Sequence, residues 1–471
     1  MGMSSWIIFG ADDMSLKAVL AIILCKLLRA VSRLLRRGGT AMPGRWALKL
    51  CPDLLARLSK NVRTVVITGT NGKTTSARMI EQAFREQGLS CLANRSGANL
   101  LSGITTEFVM NCSLSGRMRY EYAVVECDEA ASVRVFPQLR PQVVVVTNLF
   151  RDQLDRYGEV THTLSNIRTA LESVPEATVC LNADCSLCSS LALSLPNRFV
   201  WFGLEQGAVP SRGKASLSDA THCIRCKTEY AYDYVTYGHL GGFRCPQCGY
   251  CRHAADYAVT EVREQRSSGT TAEIAVRGKK HIVEINLGGL YNVYNAIGAL
   301  AASMEAGIGE EEALRALGVF KCGFGRMEPF RLGRADVRMM LVKNPAGCNQ
   351  ILDYLEKLDN RFVLVICLND RAADGTDVSW IWDAEFERLS AIADRIEKTI
   401  VSGDRAQDMR VRLKYAGIPD AGITVERDYE KLVTALEPLE TDVCLMPTYT
   451  AMLELREVMI RHCGGAEFWE G

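Results

Sequence analysis

The stretch Thr64-Val-Val-Ile-Thr-Gly-Thr-Asn-Gly-Lys-Thr-Thr75 constrains this chain more than any other. Its first half, 64–68, is short, apolar and β-branched, the pattern of a buried parallel strand. Gly69, Thr70, Asn71, Gly72, Lys73 and Thr74 then turn into a helix expected near Thr75. A glycine-rich turn between strand and helix aims backbone N–H groups and a helix N-terminus at one point, which suits a phosphate chain. Lys73 would lie against the outer phosphates, and the Thr74 hydroxyl would ligate Mg²⁺. The spacing is shorter than the common G-x4-GK[ST] form, because Ile67 occupies the first glycine position. An ordinary βα turn containing glycines is the plain alternative.

A chain of 471 residues is too long for one core, so two or three domains are expected. A formal net charge of zero argues against bulk nucleic-acid binding. Several of the 18 cysteines (Cys127, Cys180, Cys367, Cys444) fall in core-like strands, and no secretory signal with a cleavage site is visible. Both points favour a cytoplasmic protein with reduced thiols. Residues 16–37 have a helical pattern with a basic second half, and the uncharged run 18–25 is too short to span a bilayer. This helix either packs on the first domain or lies at a membrane surface, with Lys26, Arg29, Arg33, Arg36 and Arg37 facing anionic lipid. Residues 38–44 read as a loop from their glycines and Pro43.

From 64 to 182 strands and helices alternate, which implies a parallel sheet with ligands gathered at the C-terminal strand ends. Strands are expected at 122–126, 142–147 and from 179, and a helix at 76–87. The strand ends carry Gly69 to Thr74, then Glu126 with Asp128 and Glu129, then Asn148 with Arg151 and Asp152. Glu126 reads as a Mg²⁺ partner, direct or through water, or as a solvated strand-end acid.

The alternation breaks at two C-x2-C pairs, Cys223/Cys226 and Cys245/Cys248, separated by 18 residues. Four thiolates in two such knuckles suit a structural, tetrahedral Zn²⁺ with no open position. A redox pair or unrelated thiols are the alternatives. Cys251 is a less apt substitute ligand, and His222 and His253 read as surface residues. Between the pairs, 230–237 alternates like a strand, as in a zinc ribbon over about 219–256. Two more strands follow at 257–262 and 281–287. Asn292 and Asn295 then precede an Ala-rich helix at 296–306; three residues apart, they could contact a base or cap the helix. Residues 320–328 read as a glycine-rich linker with Arg326 beyond its last glycine.

The remainder reads as a second α/β unit, with strands at 339–342, 362–368, 399–402, 423–425 and 443–446 and a closing helix at 451–461. Its loops 343–349 and 368–383 stand out. The second holds the four aspartates Asp370, Asp374, Asp377 and Asp383 with two tryptophans, and Asp377 reads from spacing as a helix N-cap.

GTNGKT, the Glu126 strand, TNLFRDQLDRYGE (147–159), LNAD (181–184), Asn292 with Asn295, and GRME (325–328) resemble the Mur ligase family. The ribbon, KNPAG (343–347), LNDRAADGTDVSWIWD (368–383) and PTYTAM (447–452) resemble its MurT branch more closely, over roughly 27–455. The resemblance implies an α/β fold: a P-loop central domain with a four-cysteine zinc-ribbon insertion, then a Rossmann-like α/β C-terminal domain. The implied organisation is an N-terminal helix and loop at 1–55, an ATP-binding domain at 56–322 with the ribbon at 219–256, and a C-terminal domain at 323–471. It implies ATP-dependent amidation of the D-glutamate α-carboxylate in the lipid II stem peptide, through an acyl phosphate, in peptidoglycan synthesis. The implied cofactors are ATP, Mg²⁺ and structural Zn²⁺, and work near the inner membrane face follows from the substrate. By resemblance Asn148, Asn292 and Asn295 line the nucleotide site, and Arg326 could reach across from the hinge to ATP as a cationic clamp. The ammonia source would be a separate GatD glutaminase subunit, since no G-x-C-x-G elbow stands here. Asp377 is carried over as the acid orienting the glutaminase histidine. Gln153 replaces a His common in amino-acid-adding members, which puts a second metal contact in doubt. The rivals are a stand-alone Mur- or folylpolyglutamate-type amino-acid ligase and, from another class, a zinc-ribbon interaction protein using ATP as a switch.

Overall fold

The computed structural model describes residues 14–34, 41–94, 98–151, 160–211, 219–266, 269–320 and 326–463, apart from the side chains of Leu34 and Arg326. Three helices come first: α1 (Leu16–Leu34), α2 (Ala41–Leu50) and α3 (Leu54–Ser59). The loop expected at 38–44 is corrected in part. Ala41 to Gly44 already belong to α2, where Pro43 sits in the first turn, a position that needs no intrahelical N–H.

A βα alternation then builds a nine-stranded sheet. Its elements are β1 (Arg63–Thr68), α4 (Lys73–Glu86), β2 (Cys91–Ala93), α5 (Leu101–Met110), β3 (Tyr122–Glu126), α6 (Glu129–Leu139), β4 (Val143–Val146), β5 (Thr178–Asn182) and β6 (Arg198–Leu204). The spatial order β6-β5-β4-β1-β3-β2 is parallel throughout. Valine-rich, buried on both faces, these strands are the middle of a three-layer core. A separate two-stranded hairpin, β7 (Ala231–Tyr237) with β8 (Leu240–Arg244), leaves this sheet. The chain returns as β9 (Tyr257–Gln265), parallel to β6, and an antiparallel β10 (Thr270–Val276) and β11 (Lys279–Ile285) extend the edge. The helix Leu290–Glu305 crosses back over the sheet and packs on α4.

A second sheet follows, ordered β12-β13-β17-β14-β15-β16: β12 (Arg326–Leu332), β13 (Ala335–Met340), β14 (Phe362–Cys367), β15 (Ile396–Ser402), β16 (Ile423–Val425) and β17 (Asp442–Pro447). Only β12 runs antiparallel. The linker expected at 320–328 is also corrected. Arg326 to Glu328 are the start of β12, because Glu328 forms a buried ion pair with Arg456 of the closing helix Tyr449–Cys463 at 2.9 Å. No described helix is long and apolar enough to cross a membrane.

Candidate active site at the phosphate-binding loop

The register of the first sheet aligns three chemistry-bearing strand ends. Ile67 stands beside Glu126, and Thr68 beside Val146. Loop 69–72, Glu126 and Asn148 therefore emerge at one edge. Helix α4 begins at Lys73, two residues before the expected start, with Gly72 as its N-cap at φ 87°. Glycine is required there twice over, since a Cβ would lie 1.9 Å from Asn295 Oδ1. Gly69 has φ 118°, and a Cβ there would meet Thr147 Oγ1 at 2.4 Å.

The loop is held from below by β4. Asn148 Oδ1 accepts from Asn71 N (3.0 Å) and its Nδ2 donates to Asn71 O (3.1 Å). Thr147 Oγ1 donates to Asn71 O at 2.7 Å. Asn148 is thus a brace of the loop backbone, ahead of the N–H groups at the start of α4 that would meet phosphate.

The charged groups form one buried cluster. Lys73 Nζ donates to Glu129 Oε1 (2.7 Å) and to Gly69 O (2.6 Å), and Thr74 Oγ1 donates to Glu126 Oε2 (2.6 Å). Asp128 caps α6 through the N–H groups of Ala130 and Ala131. Asn94, just beyond β2, clamps Glu126 by accepting from its N–H (2.9 Å) and donating to its carbonyl (2.8 Å). Burial alone would favour the neutral amine at Lys73, but Glu129 and Glu126 outweigh it and hold the ammonium charged, with a raised pKa. Burial pushes the Glu129 carboxyl up, which Lys73 opposes. The causes differ: burial drives the Glu129 shift, whereas at Lys73 the neighbouring carboxylates overcome burial. Three buried acids, Glu126, Asp128 and Glu129, to one buried ammonium still leave an excess of carboxylates, with the half-buried Lys343 a further cation acting on Glu129. A hydroxyl and carboxylates with that excess are a fitting oxygen donor set for Mg²⁺.

Asn292 and Asn295 lie on helix Leu290–Glu305, which starts earlier than expected, so both are inside it rather than before it. Asn292 Nδ2 donates to Gly288 O (2.7 Å), and Asn295 Nδ2 to Asn292 Oδ1 (3.2 Å). With Gly72, Tyr237 and Gln350 they line a cavity of ≈ 90 Å³ between the two sheets. Asn344 of the second unit donates to Asn71 Oδ1 at 3.1 Å, joining the units over the loop.

The structure thus gathers Gly69 to Thr75, Glu126, Asn148, Asn292 and Asn295. The Arg326 side chain and Gln153 lie outside the described residues. Asp377 is elsewhere, half-buried in the loop after β14, where its carboxylate accepts from Ser379 N (2.8 Å) and Ser379 Oγ (2.9 Å). The N-cap expected from spacing is therefore corrected: the short helix that follows is 3₁₀ with Val378 at its N-cap and no side-chain cap bond, and Asp377, one residue earlier, closes a turn on Ser379 instead. Sequence reasoning gave no role to Glu129, Asn94, Tyr237 or Asn344. Glu129 carried a signal, as an acid just past a strand end in the expected crevice. The other three reach the site by tertiary placement.

The four cysteines also converge. Cys223, Cys226, Cys245 and Cys248 place all four Sγ atoms within 4.8 Å of one another, the nearest pairs 3.4 and 3.5 Å apart. A tetrahedron with Zn–S arms of about 2.3 Å has edges of about 3.8 Å, so the donor set fits that ion. Both knuckles make the same turn. The residue after the second cysteine is left-handed (Lys227 φ 64°, Gly249 φ 73°), and its N–H returns to the first cysteine's carbonyl. Cys251 is exposed outside the cluster, and His253 stacks on Trp201.

This arrangement is a Mur ligase fold. Residues 67–236 match the Mur ligase middle domain. Solved structures of the same architecture include a pseudomurein peptide ligase type C from Methanothermus fervidus (TM-score 0.63, 21% identity, 87% of this chain and 81% of that one) and MurF from Acinetobacter baumannii (TM-score 0.62, 15% identity, 88% and 80%). Residues 341–452 match the MurT ligase C-terminal domain. Among curated proteins, the lipid II isoglutaminyl synthase (glutamine-hydrolysing) subunit MurT of Streptococcus pneumoniae is 34% identical over 95% of this chain and 98% of that protein, and the Staphylococcus aureus subunit is 33% identical over 95% and 99%. The chain belongs to the MurT family of Mur ligase-like subunits.

Proposed function

We infer that this chain is the ATP-dependent synthetase subunit of a lipid II isoglutaminyl synthase, a carbon–nitrogen ligase of peptidoglycan synthesis. The observation that carries the reading is full-length membership of the MurT family with a phosphate-binding loop whose Lys73, Thr74, Glu126 and Glu129 form one buried cluster. The substrate is the α-carboxylate of D-glutamate in the stem peptide. ATP phosphorylates it, and ammonia displaces phosphate to give D-isoglutamine. A phosphoryl transfer of this kind needs positioned phosphates and fixed charge rather than a protein nucleophile. The loop from Gly69 to Thr75 would cradle the phosphates through the N–H groups at the start of α4, Gly72 to Thr75. Asn148 braces the loop by holding the N–H groups of Thr70 and Asn71, and Asn292 and Asn295 would lie beside the base. Lys73 would swing from Glu129 onto the outer phosphates. Thr74 and Glu126 would hold Mg²⁺, which when bound supplies charge neutralisation of the phosphates. Arg326 would reach across from the start of β12 as a further cationic clamp on ATP.

The four cysteines would hold a structural Zn²⁺ that fixes a ribbon inserted at 219–256. The proposed domains are 1–55, 56–322 and 323–471. Ammonia would come from a GatD-type glutaminase, with Asp377 orienting its histidine across the interface. The half-exposed position of Asp377 leaves it accessible to a partner. The proposed setting is the cytoplasm, at the inner membrane face where lipid II is found.

A mass assay on lipid II tests this. The chain is given ATP and Mg²⁺ with ammonium, or with glutamine and a GatD-type subunit, as wild type and Asp377→Asn. Amidation lowers the peptide mass by about one dalton and removes one carboxylate charge. We expect Asp377→Asn to keep the ammonium reaction and lose the glutamine reaction. Ligation of an amino acid without amidation would overturn the reading in favour of a stand-alone ligase, and carboxylate-independent ATP binding alone would favour a switch protein.

A further inference from the structure

Helix α1 packs through one face only. Ala18, Ala21, Ile22 and Cys25 are fully buried, and the helix lies on α2 and α5. The packing reading of this helix is therefore right for that face. The opposite face is apolar too and faces outward: Leu16 is 75% exposed, Leu20 47%, Leu27 60% and Val31 52%. These positions recur at steps of four and seven, so they form one stripe along a helix about 28 Å long. Helix α2 adds Trp46, 48% exposed, with the Lys49 ammonium 4.3 Å from its ring centroid. The loop under α1 adds Leu114, 56% exposed. That loop is fixed to α1 by Lys26, whose ammonium donates to Cys112 O at 2.6 Å, and by Gly116 against Met14.

The exposed charges on α1, α2 and the loop 111–119 are all basic. Residues 14–52 contain eight Lys and Arg and no Asp or Glu, in a chain whose formal net charge is zero. Arg29 is buried, with Glu107 as its nearest opposing charge, so it offers little outward. Lys17, Arg33, Arg45 and Lys49 are exposed, as are Arg117 and Arg119 on the adjoining loop, and 111–120 likewise holds no acid. Leucines, a tryptophan and exposed cations without acids are the chemistry of a helix lying in the interfacial layer of an anionic membrane. A protein partner of ordinary composition would call for acids interspersed with these cations, and a second copy would bring like charge against like.

We propose that the outward face of α1, flanked by α2 and the loop 111–119, docks this protein peripherally on an anionic lipid bilayer. The docking is interfacial, since no described helix is long and apolar enough to span. It needs nothing from the reaction inferred above, but a lipid-linked substrate would be presented at such a surface. A groove lined by Met42, Arg45, Leu100, Leu101 and Arg134 runs from α2 to Asp128, the N-cap of α6.

Vesicle flotation of the full chain tests the proposal, comparing phosphatidylcholine vesicles with vesicles containing phosphatidylglycerol, at low and high salt. Wild type is expected to float with the anionic vesicles, and high salt should release much of it. Leu20→Ser with Leu27→Ser should weaken partitioning by about tenfold for each leucine. Lys17→Gln with Arg33→Gln should weaken it by about fivefold for each cation on anionic vesicles only. Because all four side chains are outward or half-outward, thermal unfolding and nucleotide binding should not change. A wild-type chain that fails to float, or a leucine pair that floats as well as wild type, overturns the proposal. So does a leucine pair whose defect is loss of a glutaminase subunit or of a dimer in light scattering instead. Turnover separates this from the reaction. Vesicle binding without amidation keeps the docking face and sinks the reaction. Amidation of a water-soluble muropeptide without vesicle binding does the reverse.

Discussion

The two parallel sheets end in polar loops built from similar parts, yet the loops differ in what they leave open. In the first sheet, the Lys73 ammonium pairs with Glu129 while Glu126 and Asp128 also act on it, and Thr74 donates to Glu126. In the second, the polar groups close on one another. Asn369 donates to Thr450 Oγ1 (2.9 Å) and accepts from Asp404 N (2.9 Å), Thr448 Oγ1 accepts from Asn369 N (2.9 Å), and Arg405 pairs with Asp370 (2.9 Å). Asp374 accepts from Thr450 N and Oγ1. Gly403, at φ 89°, sits so close that a Cβ would meet Asn369 Oδ1 at 2.6 Å. One architecture therefore gives two outcomes. An excess of carboxylates distinguishes the proposed nucleotide site, and closed hydrogen bonding distinguishes the scaffold.

The largest expected effect breaks this comparison at the open end. Lys73→Met should cut amidation by about a thousandfold or more, because it removes the positioned cation from phosphoryl transfer. Asn369→Ala, at the closed end, should leave ATP affinity unchanged. Its cost should appear as stability, about 1–3 kcal/mol for the buried partners it orphans, read by urea unfolding. A turnover loss at Asn369 equal to that at Lys73 would end the distinction.

Next in size is the buried ion pair that ties β12 to the closing helix. Glu328→Gln leaves Arg456 buried against a neutral partner, and about 3 kcal/mol or more of stability should go with it. Exposed pairs in the same unit, such as Arg331 with Asp336, should give about 1 kcal/mol or less.

A third measurement sharpens the charge argument directly. Mg²⁺ alone should raise the unfolding temperature of the wild type, since a ligand of the native state at a hundred times its Kd adds about 2.7 kcal/mol. Glu126→Gln should abolish the shift. Asp370→Asn, in the balanced loop, should keep it.

What the sequence makes legible follows the same division. The β1 strand, the glycine turn, Lys73, Thr74, Glu126 and the cysteine knuckles are local patterns in which residue type and spacing carry the chemistry. Strands such as 122–126 and 423–425 are legible to the residue because apolar β-branched runs end at turns. The strands at 198–204 and 270–276 are not, since β6 starts with a charged residue and β10 alternates weakly between small and polar side chains. Asn344 and Tyr237 reach the loop, and Asn94 reaches Glu126, across long sequence separations, and no local period encodes that. Asp377 shows the limit from the other side: its spacing announces a turn, and its proposed role needs a partner's histidine that this chain does not contain.

The smallest effect is a pH slope from Glu129. Burial raises its carboxyl above the ordinary value of 4.5, so above that pH the native chain keeps a proton that the unfolded chain has lost. Native protein then binds more protons, and this group's contribution to stability falls as pH rises through the folded value. Glu129→Gln cannot titrate. The stability difference between wild type and variant, from urea midpoints over about pH 5 to 8, should therefore decline with rising pH, by an amount about as small as one titrating group allows. Saturating Mg²⁺ should flatten the decline, because a divalent cation in the cluster favours the ionised form of Glu129 against the burial that drives the proton onto it. Identical slopes in both proteins, with or without Mg²⁺, would mean that Lys73 alone already balances the cluster, and the contrast between an open and a closed strand end would lose its electrostatic basis.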